Sequence, residues 1–247
     1  MTRRNRVLAE LGLTPLWVPR ESLDEQEGLP KLQNDADASP DISQAPTATV
    51  ARSFESMDWA ALRDAASQCK ACVLHEKRKQ AVLGVGDECA NWLFVGEAPG
   101  AEEDERGEPF VGQAGRLLDN MLAAIGLKRG ENVYIANVVK CRPPGNRNPM
   151  PEETQACQPF LDRQVELIQP RLIVALGKVA ANTLLGGGDT LGSMRKTVHE
   201  YRGIPLVVTY HPAYLLRTLT DKAKTWEDLC FAVDTMSELS RVADNVD

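Results

Sequence analysis

The sequence predicts an α/β domain of three layers, α/β/α, around a central, mostly parallel four-stranded sheet. Three observations carry this reading. There are four short, nearly unbroken apolar runs, stretches with helical periodicity separate them, and each run ends in a loop rich in glycine, proline and polar residues. Runs that are apolar on both faces suit parallel strands covered by helices on each side.

The elements follow in chain order. Residues 1–55 are expected to be a flexible extension and linker, and residues 56–247 the folded domain. In the extension, Leu8, Leu11, Leu16 and Trp17 make an apolar patch of one or two helical turns, too short to fold alone. Residues 1–20 therefore read either as a frayed terminus or as a tethered peptide for a protein partner. Residues 25–50 have neither helical nor strand period and read as linker. NWLFVGE (91–97) reads as a buried strand, and QAGRLLDNMLAAIGL (113–127) as an amphipathic helix closed near Gly126. NVYIANVVK (132–140) is a second strand. A helix over 151–168 follows, with proline in its first turn. RLIVALG (171–177), the short helical KVAANTLLG, PLVVTYHP (205–212) and a helix over 225–243 complete the alternation.

Composition narrows the function. With 247 residues and 43% hydrophobic content, the chain supports one domain core and a short appendage. A net charge of −7 excludes a uniformly basic nucleic-acid coat. Basic residues nevertheless gather locally: Lys128 to Arg147 sums to +4 and Arg195 to Arg217 to +3, both beside the loops at the strand ends. No run approaches the roughly 18 apolar residues of a membrane span, and the N-terminus lacks a secretory apolar stretch. A cytoplasmic monomer is expected.

Ligands of open α/β sheets bind beyond the carboxyl ends of the strands. Here those ends carry GEAPG, KCRPPGNRNP, Gly177-Lys178 and HPAYLLR. Phe110 closes an acidic loop holding Glu102, Glu103, Asp104 and Glu105, where it can stack on a planar ligand or pack beneath its own loop. Asn137 is a polar residue inside an apolar strand. Its amide both donates and accepts, which suits reading a base edge or tying two loops together. His211, at the end of the fourth strand, suits stabilisation of developing negative charge.

Six cysteines in a reducing compartment point to metal or chemistry rather than disulfides. Cys69 and Cys72 form a C-x-x-C pair, and Cys141 and Cys157 follow with fifteen residues between them. Four thiolates suit tetrahedral zinc or an iron–sulfur cluster, and spacing alone does not choose between them. Cys89 and Cys230 carry no assigned chemistry.

Together, GEAPGAEED, EPFVGQAGRLLD, NVVKCRPPGNRNP, HPAYLLR and the cysteine spacing closely resemble the family 4 uracil-DNA glycosylases, the bacterial and archaeal iron–sulfur members of that superfamily. The resemblance runs from about Cys69 to Arg217. It implies a uracil-DNA glycosylase fold, a [4Fe–4S] cluster on Cys69, Cys72, Cys141 and Cys157, and removal of uracil from single- or double-stranded DNA. It further implies that Phe110 stacks on the flipped base, that Asn137 reads its O4 and N3 edge, and that Glu103 excludes the thymine methyl. His211 then donates to uracil O2. Glu97, Ala98 and Pro99 form the motif wall. In the best-known uracil glycosylases this block reads GQDPY, so Ala98 stands where an aspartate orients water, and Glu97 becomes the candidate for that task or for stabilising the sugar cation. Leu215 or Leu216 serves as the wedge, and Arg147, Arg195, Lys196 and Arg217 contact the DNA backbone. Two other readings remain: a relative that bonds covalently to the sugar through a histidine in a basic insert, absent from CRPPGNRNP, and a non-catalytic iron–sulfur DNA-binding module.

Overall fold

The computed structural model describes residues 54–244. The expected extension, residues 1–55, lies outside them except for its last two positions, and so does the proposed partner-binding segment 1–20. Helix α1 (Trp59–Gln68) opens the described region, with the Asp58 carboxylate accepting from the Ala61 N–H at 2.8 Å as its cap. Cys69 follows at its carboxyl end.

The sheet has six strands: β1 (Val85–Gly86), β2 (Trp92–Gly96), β3 (Val133–Asn137), β4 (Leu172–Leu176), β5 (His199–Tyr201) and β6 (Ile204–Thr209), in the spatial order β1-β3-β2-β4-β6-β5. The four central strands are the four expected, and their pairings are parallel. The structure adds two short antiparallel edges, β1 on β3 and β5 on β6. At two and three residues these are too brief to show a period in the sequence.

Alternate residues of each strand bury opposite faces. Leu93 and Val95 of β2 face a core built with Leu62 of α1, Phe160 and Leu161 of α4 (Pro151–Ile168) and Ala181 of α5 (Lys178–Leu185). Trp92 and Phe94 face the other core, with Leu118 and Leu122 of α3 (Gln113–Ala124) and Leu229 of α8 (Lys222–Asp244). Every residue of β2, β3 and β4 is buried, which is why these strands read as unbroken apolar runs.

The acidic stretch expected as a loop is instead the short helix α2 (Ala101–Arg106), stopped by Gly107 at φ 78°. A six-residue helix offers less than two turns of pattern to read. Two further short helices, α6 (Leu191–Met194) and α7 (Pro212–Leu215), precede β5 and follow β6. The chain passes from β2 to β3 on one side and then to β4 on the other, so the strand order reverses at β2, where α/β sheets open a crevice.

Candidate active site

A cavity of about 750 Å³ occupies that crevice, and each central strand delivers a residue to its wall: Glu97 after β2, Asn137 ending β3, Gly177 after β4 and His211 after β6. The register pairs Gly96 with Asn137. A side chain at Gly96 would place its Cβ 2.4 Å from Asn137 Oδ1 and 2.5 Å from Phe110 Cζ, so only glycine lets these two meet. Asn137 is 1% exposed, yet its Oδ1 has no hydrogen-bond partner. Buried polar atoms are nearly always paired, so an orphan acceptor on a cavity wall marks a place for a donor.

Phe110 stands in the same wall at φ 55°, a strained backbone for an aromatic residue. The strain is held from several sides. Arg129 donates to the carbonyls of Pro109 and Phe110, both at 2.9 Å, while its Nε pairs with Asp119. Glu103 Oε1 accepts from the N–H groups of Val111 (2.9 Å) and Gly112 (3.1 Å), and its Oε2 from Gly100 N–H. Glu103 therefore lines the cavity, as expected, with both oxygens braced by backbone. Gly115 completes the seat, since a Cβ there would fall 1.8 Å from the Phe110 carbonyl oxygen.

His211 packs on Phe110 with ring centroids 5.5 Å apart and caps α7, its Nδ1 accepting from the Ala213 N–H at 3.1 Å. An accepting Nδ1 leaves the proton of the neutral ring on Nε2. Burial, helped by the Arg217 charge and opposed by Glu103, brings its pKa down to about 4, so the ring is neutral at physiological pH. Burial also lifts the Glu97 carboxyl above its usual range. Ala98 and Pro99 continue the wall beside it.

The four expected cysteines line a second, smaller cavity: Cys69 and Cys72 after α1, Cys141 after β3 and Cys157 in α4. Arg78 Nη1 donates to Cys141 Sγ at 2.9 Å, and the Lys140 N–H to Cys157 Sγ at 3.2 Å. Burial pushes the thiols of Cys72 and Cys141 up and that of Cys157 to about 12, so an isolated thiolate is disfavoured there. Among the described residues no group of three or more His, Cys, Asp or Glu is placed to hold a metal ion. Cys89 is exposed and Cys230 lies in α8, both apart from this cavity.

The family model of the uracil DNA glycosylase superfamily matches residues 83–230. A type-4 uracil-DNA glycosylase of Archaeoglobus fulgidus is 48% identical over 156 residues, covering 60% of this chain and 78% of the relative. One of Pyrobaculum aerophilum is 42% identical over 181 residues, covering 70% and 92%. The chain belongs to the type-4 uracil-DNA glycosylases. A type-5 enzyme of Thermus thermophilus is also similar, at 35% identity over 153 residues, with coverage of 53% and 68%.

The rim of this type-4 glycosylase departs from the sequence reading. Leu215, expected as a wedge, is 1% exposed and belongs to the core beside α3 and α8, whereas its neighbour Leu216 is 40% exposed. Arg195, expected at the DNA backbone, is spent internally: its Nε donates to Asp228 at 2.7 Å, its Nη2 to the Lys224 carbonyl, and its guanidinium lies 4.9 Å from the Tyr210 ring centre. Lys196 pairs with Glu227 at 2.7 Å on the surface. Arg147 lines the cavity but grips Glu153 through two bonds of 2.8 and 2.6 Å. Arg217 lines it, exposed, with no ion pair among the described residues, and so does Lys178, which the sequence reading placed at the ligand face without assigning it a role. Tyr210 and Tyr214, stacked at 5.3 Å, were also missed; a generic HPAYLLR loop gives no sign that its tyrosine turns inward.

Proposed function

We propose that this protein removes uracil from DNA by hydrolysing the bond between uracil N1 and deoxyribose C1′, leaving an abasic site for base excision repair of deaminated cytosine. The orphaned Asn137 Oδ1, in the wall of a cavity that Phe110 and the neutral His211 also line, carries the reading. Uracil offers an N3–H donor and an O4 acceptor, which match Oδ1 and the amide N–H of Asn137. Cytosine reverses both and is rejected. The target nucleotide must leave the stack at a cost of a few kcal/mol, least at a U·G mismatch. Phe110 then stacks on it, and Glu103 guards the C5 edge against a methyl group.

As C1′–N1 breaks, its electron pair moves into the uracil ring and toward O2, where His211 Nε2–H donates a hydrogen bond. Water adds to the sugar cation at C1′ and gives up a proton to solvent, from which the departing uracil anion takes one up, so that neutral uracil and an abasic sugar result. Ala98 has no group to orient that water. Glu97, on the same wall, is assigned to hold it or to stabilise the cation. Leu216 fills the gap left by the flipped base, and Arg217, Arg147 and Lys196 meet the phosphates. Cys69, Cys72, Cys141 and Cys157 suit a [4Fe–4S] cluster: all four thiols line one cavity, with two donors on their sulfurs. Its contribution is structural, pinning the Cys141–Cys157 segment beside the DNA. No helix among the described residues is long and apolar enough to cross a membrane. A cytoplasmic monomer, with residues 1–20 available to a protein partner, completes the proposal.

Incubating the protein with a labelled uracil-containing oligonucleotide and then with alkali tests this. Strand cleavage is expected. An SDS-resistant adduct would support the covalent relative instead, and neither product would leave a binding module. Iron and sulfide analysis with visible absorbance tests the cluster, and a colourless zinc protein overturns it.

A further inference from the structure

Lys140 sits three residues beyond Asn137 and is 2% exposed. Its ammonium donates to the Asn137 main-chain oxygen at 2.7 Å and to Gln164 Oε1 at 2.5 Å. Gln164 is itself fixed, its Nε2 donating to the Leu83 carbonyl at 3.0 Å and to Tyr134 Oη at 3.2 Å. No carboxylate among the described residues pairs with Lys140. The lysine lines the cysteine cavity together with Cys141 and Cys157, and its backbone N–H donates to Cys157 Sγ at 3.2 Å. A buried cation without a counter-charge is among the costliest arrangements a core can hold. Here the cysteine cavity, which would carry the negative charge of a thiolate-ligated cluster, stands where a carboxylate would otherwise be needed.

We propose that Lys140 is a positioning residue: its ammonium takes its counter-charge from the cysteine-ligated cluster and holds the end of β3, so that Asn137 reads the base only while the cluster is in place. This rests on the cluster and uracil readings above. The clamp reaches both walls of the pocket, because the N–H groups of Val138 and Val139 bond the carbonyls of Gly96 (2.9 Å) and Glu97 (3.2 Å). If Lys140 withdraws from Asn137, the same two residues that seat Phe110 and carry the carboxylate lose their register.

Two variants of the cluster-loaded full chain separate charge from positioning. Lys140→Met removes a positive charge near the cluster and the grip on Asn137. It should make the cluster reduction potential more negative and slow single-turnover excision about 10–100-fold at saturating enzyme, with DNA affinity retained. Gln164→Glu adds a negative charge at the same place and, at the loss of the two bonds from Gln164 Nε2, gives Lys140 a carboxylate that leaves its bond to Asn137 in place. It should move the potential in the same direction and leave excision within about threefold. Unchanged excision, or an unchanged potential, in Lys140→Met overturns the proposal. A third measurement needs no variant. Stripping the cluster from the wild-type protein should speed hydrogen exchange at the Val138 and Val139 amides while β4 stays protected, and unchanged protection there also overturns it. A wild-type protein that fails to cleave uracil-containing DNA at all counts against the proposed function instead.

Discussion

At the scale of single residues, the pocket is read by what each side chain lacks. Asn137 lacks a partner for its oxygen, and His211 lacks a proton on Nδ1. Asn137→Ala should abolish excision while nonspecific DNA affinity persists, measured by single-turnover cleavage beside a binding titration. His211→Ala should cost about 10²–10³ in rate, the usual loss for one donor to a developing oxyanion. The pH profile distinguishes the two acid groups. A His211 with a pKa near 4 stays neutral, and so competent, until the pH falls through about 4, whereas Glu97 ionises above its ordinary range. The wild-type rate should therefore fall first through the Glu97 ionisation. In Glu97→Gln the remaining, slower rate should decline only near pH 4, and a decline near pH 6.5 would show a protonated His211. These residues were legible because each is chemically out of place: an amide in an apolar strand, a histidine after one. Arg195 looked equally available in the sequence, and its partner Asp228 lies thirty-three residues away, beyond the reach of any local pattern.

At the scale of elements, α7 separates two adjacent leucines by burial alone. Leu215→Ala should destabilise the fold by about 2–5 kcal/mol in chemical denaturation, as a core leucine does. Leu216→Ala should leave stability unchanged and reduce excision more from duplex than from single-stranded DNA, where no gap needs filling. The turn carrying Phe110 depends on Arg129 in a comparable way. Arg129→Met removes charge-assisted bonds to two carbonyls and should cost about 2–3 kcal/mol and raise KM, with the strained φ of Phe110 free to relax. The sequence showed the long elements to within a few residues, since α4 and the central strands repeat their pattern over enough positions. It missed α2, β1 and β5, whose form comes from caps and neighbours rather than from period.

At the scale of the molecule, the net charge of −7 conceals a small cationic rim. Part of the local basic excess is already engaged inside the fold, Arg195 on Asp228 and Arg129 on Asp119, and Arg147 and Lys196 reach phosphate only in competition with Glu153 and Glu227. Arg217 and Lys178 face the cavity without ion pairs among the described residues. DNA affinity should therefore fall with salt along a shallow slope of about −2 to −3 in log–log form, near 0.9 per phosphate met. A slope beyond −6 would mean a wider basic surface.

The two edge strands carry a different consequence. A parallel sheet ending at β3 and β6 would present two rows of open backbone groups, a template for pairing with another chain. β1 covers one with only two residues, and Gly86 approaches so closely that a Cβ would lie 2.2 Å from the Val133 carbonyl. β5 covers the other in three residues with Glu200 at its centre, opposite Pro205, which has no N–H to offer. Their brevity suits a repair enzyme that must stay dispersed among abundant DNA. Excising residues 199–203 should expose the β6 edge and make the domain aggregate during refolding, measured by light scattering beside the intact chain.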